Sequence, residues 1–435
     1  MIDLADLRQR PEAYQKAADR KRIKVNVADA LSLDEKRRTL IARTEEMRAE
    51  KNAASKKIPG LKGKEKEKLI KDMRALGEEL KAREEELMAL ETQWNALLLS
   101  LPMIPHTLVP IGKDESENVE AFQNGDVPVL DFPIKDQQEL GELLDIVDIP
   151  RGVKVAGARS YFLKGDGARL HQAVLRFTID TLVAKGWTLF TPPYLARYEC
   201  FVGTGFFPGP DQSNIYAVGG QESKDAPIEP DGVSLIGTSE VSVASYHMDE
   251  VLHLGDLPRR YAGFSPCFRR EAGTYGKDTR GLYRIHQFEK VEQVVLCEAN
   301  EDKAMKMFEE IRTNAEEILQ ALGLPYRVLT ICTGDLGKGK VYQQDIETWM
   351  PSRKAYGETH SCSYLGDFQA RRLNIKYEDV DGSKKFVHTL NNTAIASPRI
   401  LIPLLEIYQR KDGSVVIPKV LRPYMGGQEV MEPKY

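Results

Sequence analysis

FSPCFRREAGTYGKDTRGLYRIHQFEKVE, residues 264–292, holds two runs with strand character, CFRRE and YRIHQFEKVEQVVL, around AGTYGKDTRG, whose Gly, Asp and Thr content suits a long hairpin loop. A hairpin makes the two strands antiparallel neighbours and brings their polar residues together. Alternation counted from Tyr283 predicts Tyr283, Ile285, Gln287, Glu289 and Val291 on one face and Arg284, His286, Phe288, Lys290 and Glu292 on the other. That second face is either a strand face in solvent with incidental charges or a ligand surface. In the latter case it offers cations for phosphates, a ring for stacking a base and a carboxylate for an ammonium group.

Around this stretch, helix-like segments such as Leu170 to Lys185 and Asp302 to Leu322 alternate with short strands such as RRLNIKYE. The mixture predicts an α+β domain, an antiparallel sheet flanked by helices, rather than regular βαβ units. No G-x-G-x-x-G or P-loop sequence occurs, and there is no internal repeat.

Upstream the pattern changes. Leu69, Met73, Leu76, Leu80, Leu87, Leu90, Trp94, Leu97 and Leu101 alternate steps of four and three with one miss at Arg83, a coiled-coil seam. A weaker seam runs through Leu33, Leu40, Met47 and Ala54, and IPGLKG between the two ends one helix and reverses the chain. The expectation is a long two-helix antiparallel arm over about residues 31–100 within an N-terminal domain of residues 1–105. Pro102, Pro105 and Pro110 mark the linker to a second domain, residues 106–435. A second helix of roughly 35 residues spans some 50 Å. Lys51 to Arg74 holds nine basic residues against three acidic ones around the tip of the arm. Those lysines either solvate an exposed turn or contact a phosphate backbone.

Whole-chain composition narrows the class. With 435 residues the chain is long enough for two domains, and a formal net charge of −4 excludes a generally cationic polyanion binder, so any nucleic-acid surface must be local. The N-terminus lacks an apolar signal segment and no stretch approaches the roughly 20 apolar residues of a membrane helix, so a cytoplasmic protein without membrane association is expected. The five cysteines, Cys200, Cys267, Cys297, Cys332 and Cys362, form no C-x-x-C pair and have no neighbouring His ligands, which argues against disulfides and structural zinc.

FRREAG…GLYRIHQFEKVE resembles motif 2 of the class II aminoacyl-tRNA synthetases, GWTLFTPPYL with Pro193 resembles motif 1, and LNNTAIASPRILIPLLE with Arg399 is similar to motif 3. GTSE at Gly237 to Glu240, DIETWMPS, SCSYLGDFQARRLNIKY, VIPKVLRPYMGG and the helical arm extend the resemblance, specifically to the seryl-tRNA synthetase family, over nearly the whole chain. The resemblance implies ATP-dependent ligation of L-serine to its tRNA through a seryl-adenylate, with selenocysteine tRNA as a second acceptor. It also implies ATP and Mg2+ as cofactors and a homodimer formed through motif 1. A relative that activates an amino acid for a carrier protein is the alternative enzyme, against which the long arm counts. A tRNA-binding paralogue with a dead site is the non-enzyme alternative, disfavoured by intact Arg269, Arg284, Glu292, Glu358 and Arg399.

By that resemblance Arg269 engages the α-phosphate and the amino-acid carboxylate, and Arg284 and Arg399 handle the γ-phosphate end of a bent ATP. Arg269 and Arg399 are thereby the catalytic pair. Phe288 stacks on adenine, Glu271 with Arg270 lies near the nucleotide, and Glu358, Thr359, His360 and Ser361 line the ATP site, Glu358 and Ser361 ligating Mg2+. Thr238, Ser239, Glu240, Glu292 and Thr393 surround serine beside Arg269, and Lys56, Lys57, Lys62 and Lys64 contact tRNA. The chain departs from the family where motif 3 commonly reads Asn-Gly-Ser-Gly and this sequence has Asn391-Asn392-Thr393-Ala394, and where His360 replaces a frequent serine. AVGGQESKDAPIEPDG, residues 217–232, reads as a surface loop.

Overall fold

The computed structural model describes residues 1–218, 232–272 and 281–434, so most of the hairpin loop at 272–281 and of the surface loop at 217–232 lies outside the described residues. The chain divides into two compact units, Met1–Ile104 and Pro105–Tyr435.

The first unit is helical. Asp3 caps α1 (Leu4–Gln9), its side chain accepting from the amides of Ala5 and Asp6. Pro11 begins α2 (Pro11–Arg20), where its missing N–H costs nothing. Sequence patterning gave neither of these short helices, because each is too brief to display a seam. The hairpin follows as α3 (Val27–Lys57) and α4 (Gly63–Ser100), of 31 and 38 residues, joined through a 3-10 turn at Ile58–Gly60. At about 1.5 Å per residue α4 is about 57 Å long. Gly63 opens α4 at φ 62, a left-handed conformation that favours glycine.

The seam is as the spacing predicts: Met47, Ala54, Leu80 and Trp94 are buried between the helices. It also takes in Thr44, which is buried with its hydroxyl donating to the Ile41 carbonyl, and it is flanked by the pairs Arg48–Glu84 at 2.7 Å and Arg37–Glu91 at 3.4 Å. At the base, Ile2, Leu7, Tyr14, Val27, Trp94, Leu98 and Leu101 form one apolar cluster. There Arg8 grips buried Asp34 with two bonds of 2.7 and 3.0 Å, which holds that carboxyl below the usual range despite its burial.

The second unit is built on an eight-stranded sheet: β1 (Val119–Asn124), β2 (Thr188–Phe190), β3 (Arg259–Phe268), β4 (Gln287–Cys297), β5 (Tyr326–Thr330), β6 (Tyr342–Met350), β7 (Ala355–Gly366) and β8 (His388–Ser397). Its order is β1-β5-β6-β7-β8-β4-β3-β2, antiparallel throughout except for the edge pair β3–β2. Two long helices, α5 (Asp166–Ala184) and α6 (Glu301–Ala321), pack on one face. Gln293 from β4 and Asn392 from β8 both donate to the Ile311 carbonyl of α6, at 2.9 and 2.7 Å. The sheet and α6 are thereby joined by buried amide donors as well as by apolar contact.

Three readings of strand extent need correction. Of CFRRE only Cys267 and Phe268 are strand, since β3 ends at Phe268. β4 begins at Gln287, and residues 281–286 are turns and bends, so the alternation counted from Tyr283 holds only from Phe288 onward. The RRL of RRLNIKYE belongs to the helix Phe368–Leu373, and only Lys376–Glu378 is strand. In each case a neighbouring non-strand segment takes over residues whose side chains also suit a strand.

Candidate active site

The sheet face away from α5 and α6 forms the floor of a cleft of about 810 Å³. Alternation along β4 sends Phe288, Lys290 and Glu292 into it, while Glu289 points back to α5 and meets His171 at 3.1 Å. Arg269 lies one residue beyond β3. Its amide donates to the His286 carbonyl, its Nε to the Gly237 carbonyl at 3.1 Å, and its guanidinium stands 5.3 Å from the Phe288 ring centroid. On the far side, Arg399 follows β8, donating to the carbonyls of Tyr283 and Glu358 at 3.1 and 3.0 Å and lying over the Tyr283 ring. Two planar cations are therefore fixed by backbone carbonyls at the cleft, the arrangement suited to holding anionic groups.

One end of the cleft is a small polar pocket. Glu240 accepts from Gln369 Nε2 at 2.7 Å and Asn391 Nδ2 at 2.9 Å. Burial first, and Glu292 second, push its carboxyl up to about 7. Glu292 is ion-paired with Lys290, whose Nζ also lies 3.4 Å from Thr393 Oγ1, and Thr393 in turn donates to Glu292 at 3.3 Å. Carboxylates, an ammonium and a hydroxyl thus share a buried space suited to a small zwitterion with a polar side chain.

The other end carries oxygen donors on β6 and β7. Asp345 pairs across the sheet with Ser361 and accepts from Gln343 at 2.7 Å, and Gln343 also donates to Ser361 Oγ at 3.0 Å. Burial, then the nearby Glu358 carboxylate, raise the Asp345 carboxyl. Among the described residues no group of three or more His, Cys, Asp or Glu side chains converges as a metal site. Two carboxylates and a hydroxyl still fit a hard cation that takes its remaining ligands from phosphates and water.

Two β-bulges shape this floor. Ile346↔His360 is followed by Glu347↔Glu358, leaving Thr359 extra on β7, and Val291↔Ile395 by Glu292↔Thr393, leaving Ala394 extra on β8. His360 joins the two: Nε2 donates to the Ala394 carbonyl at 3.1 Å and Nδ1 pairs with Thr359 Oγ1 at 2.8 Å. Burial lowers its pKa to about 4, so it is a neutral brace.

Of the residues singled out from sequence, Thr238, Glu240, Arg269, Glu271, Phe288, Glu292, Glu358, Thr359, His360, Ser361, Thr393 and Arg399 line the cleft. Arg284 is not part of this lining; its Nη1 donates to Glu271, a lining residue, at 2.5 Å. The amide of Arg270 donates to the Asn214 carbonyl. Ser239 is fully buried, its hydroxyl donating to the Gly263 carbonyl at 3.0 Å, and a Cβ at Gly263 would come within 2.6 Å of that hydroxyl. Asn392 turns to α6, so its side chain leaves the cleft unchanged. In the first unit, Lys56, Lys57, Lys62 and Lys64 are exposed at the end of the helical hairpin.

Sequence reasoning did not single out Lys290, Tyr283, Gln343, Asp345 or Asn391 as site residues, although all line the cleft. Lys290 stood on the cleft face in the alternation beside Phe288 and Glu292, which was signal enough. Gln343 and Asp345 have no such signal, since a strand with polar residues on one face reads as solvent-exposed.

Comparison with known proteins follows these two units. Residues 1–105 match the family of the seryl-tRNA synthetase N-terminal domain, and residues 228–408 match the tRNA synthetase class II core domain (G, H, P, S and T). The chain is 46% identical over 431 residues to a serine–tRNA ligase of Deinococcus radiodurans, covering 99% of both chains. It resembles the crystal structure of seryl-tRNA synthetase from Pyrococcus horikoshii complexed with ATP, with a TM-score of 0.88, 35% identity and 100% coverage of both chains. It also resembles the cytoplasmic serine–tRNA ligase of Naegleria fowleri in complex with AMP, with a TM-score of 0.82, 32% identity and coverage of 98% and 96%.

Proposed function

The chain belongs to the seryl-tRNA synthetase family, class II enzymes that ligate serine to tRNA with ATP, and from that premise we propose how its cleft divides the work. Serine lies at the pocket of Glu240, Glu292 and Thr393, and ATP extends over Phe288 toward Arg399. The serine carboxylate attacks the α-phosphorus, the bond to pyrophosphate breaks, and Arg269 holds both the attacking carboxylate and the α-phosphate in its fork. Arg399 takes the departing pyrophosphate end. Arg284, set by Glu271, assists there. No protein base is needed, because the nucleophile is already an anion. The terminal ribose hydroxyl of tRNA then takes the seryl group and AMP leaves. Glu358 and Ser361, with Asp345 beside them, are the residues that would hold Mg2+, which supplies charge neutralisation on the phosphates when bound.

The observation that carries this reading is the pairing of a zwitterion-sized polar pocket with two carbonyl-anchored arginines in one cleft. Residues 1–105, in this proposal, are the tRNA-binding domain and residues 106–435 the catalytic domain. The lysines at the hairpin tip meet tRNA phosphates, and selenocysteine tRNA is a second acceptor of the seryl group. A homodimer and a cytoplasmic location belong to the same proposal. Partly exposed Val183, Leu189 and Tyr246, near or on the edge strand β2, support the dimer. No helix among the described residues is long and apolar enough to cross a membrane. The test is amino-acid-dependent ATP–pyrophosphate exchange across a panel of amino acids, followed by charging of serine and selenocysteine tRNAs. Exchange with serine and charging of both tRNAs is expected; exchange with another amino acid alone, or transfer to a carrier protein instead of tRNA, would overturn it.

A further inference from the structure

We propose that Lys290 determines specificity in the amino-acid pocket: it neutralises Glu292 and donates toward the substrate side-chain oxygen, so that a hydroxyl is accepted and a side-chain ammonium of the same size is refused. The inference rests on the serine-pocket reading above.

Lys290 and Glu292 lie two residues apart on the cleft face of β4, with side chains only 7% and 2% exposed, and their charged ends are in direct contact. The same Nζ lies 3.4 Å from Thr393 Oγ1, and that hydroxyl lies 3.3 Å from Glu292 Oε2. The three groups therefore close a ring of one acceptor-only group, one donor-only group and one that does both. A serine hydroxyl entering beside them fits both partners, donating to Glu292 and accepting from Lys290. An ammonium in the same position has no lone pair for Lys290 and meets its charge at close range. Glu240 is left to the α-ammonium, tied by Gln369 and Asn391 at the other side of the pocket.

Without Lys290 the pocket would hold two buried carboxylates and no nearby cation of its own on Glu292. A buried carboxylate that has lost its partner is costly, and a cationic ligand relieves that cost. The expected change is therefore a gain of activity toward the amine analogue and not only a loss toward serine, which a merely structural lysine would not produce.

The experiment is ATP–pyrophosphate exchange at pH 7 with L-serine and with L-2,3-diaminopropionate, comparing the wild type with Lys290→Met and Lys290→Arg after melting curves have established folding. The expected result is that Lys290→Met lowers the serine-over-diaminopropionate ratio of kcat/KM by about tenfold or more, the size of one charge-assisted contact. Its absolute kcat/KM for diaminopropionate should rise, whereas Lys290→Arg should keep the wild-type preference. If Lys290→Met does not fold, Lys290→Gln, whose amide still donates to Glu292, carries the same expectation. An unchanged ratio, a parallel fall for both substrates, or failure of both variants to fold overturns the proposal. A wild-type protein that activates no serine refutes the pocket reading itself, so the two failures are distinguishable.

Discussion

Glu240→Gln is a perturbation whose size the structure sets directly. The glutamate carboxyl is pushed from about 4.5 to about 7, first by burial and then by Glu292. A carboxyl whose folded value lies above its unfolded value keeps a proton in the folded state after the unfolded chain has released it. Its contribution is therefore full below about pH 4.5 and is lost as pH rises to about 7. At 1.36 kcal/mol per pH unit the gap corresponds to about 3 kcal/mol. Glutamine has the same shape, and its amide oxygen accepts the same bonds from Gln369 and Asn391. The variant should therefore be more stable than the wild type at pH 8, by an amount about 2 kcal/mol larger than at pH 5. Denaturant unfolding of both proteins at pH 5, 6, 7 and 8 measures this difference. Serine-dependent exchange on the same preparations should show a raised KM, because the α-ammonium loses its counter-charge. A stability difference that does not change with pH would refute the placement of a raised carboxyl at position 240.

Arg269→Lys should fold, since among the described residues its side chain meets one carbonyl and one ring face, yet lose at least about tenfold in exchange rate with the bidentate fork; survival within a factor of two removes the assigned role. Thr393→Ser should preserve serine activation and Thr393→Val, nearly isosteric without the hydroxyl, should weaken it by about tenfold or more in kcat/KM; equal activity of the two takes Thr393 out of the pocket. Replacing Ile41–Leu90 by a short flexible linker should leave exchange nearly intact while tRNA charging falls by orders of magnitude. Neutralising Lys56, Lys57, Lys62 and Lys64 should flatten the salt dependence of charging by about one unit of slope per lost phosphate contact. Normal charging by the arm-deleted enzyme, or collapse of its exchange activity while folded, would overturn that division of labour.

Legibility in the sequence followed periodicity. The hairpin could be read because the same 3.5-residue spacing persists from Leu69 to Leu101, and the two long helices on the sheet because α5 and α6 each keep one apolar face for about five turns. β4 was legible from Phe288 to Glu292 for the same reason in a period of two. Where the period breaks, the reading broke with it. The turn ahead of Gln287 brings Tyr283 and Ile285 to the cleft lining from positions assigned to the other face.

Another part of the site, named above only through the motif resemblance, depends on bulges and not on any periodicity. One extra residue at Thr359 and one at Ala394 reset the register of β7 and β8, and that reset brings Glu358, Ser361 and Thr393 onto the cleft. Nothing in the local composition marks either position, since a bulge is a property of a strand pair and not of one strand. His360 shows the consequence. By resemblance it lines the ATP site beside the candidate ligands Glu358 and Ser361, and by itself it reads as a packed or solvent-facing histidine. In the folded chain both ring nitrogens are taken by the two bulged residues, so a side chain that departs from the family pattern serves the geometry of its neighbours. The same logic covers Asn392, whose amide goes to α6 while Thr393, one residue on, faces the pocket. Departures at motif 3 are thus divided by the sheet: Asn392 binds the helix, and Thr393 meets the substrate pocket with its side chain.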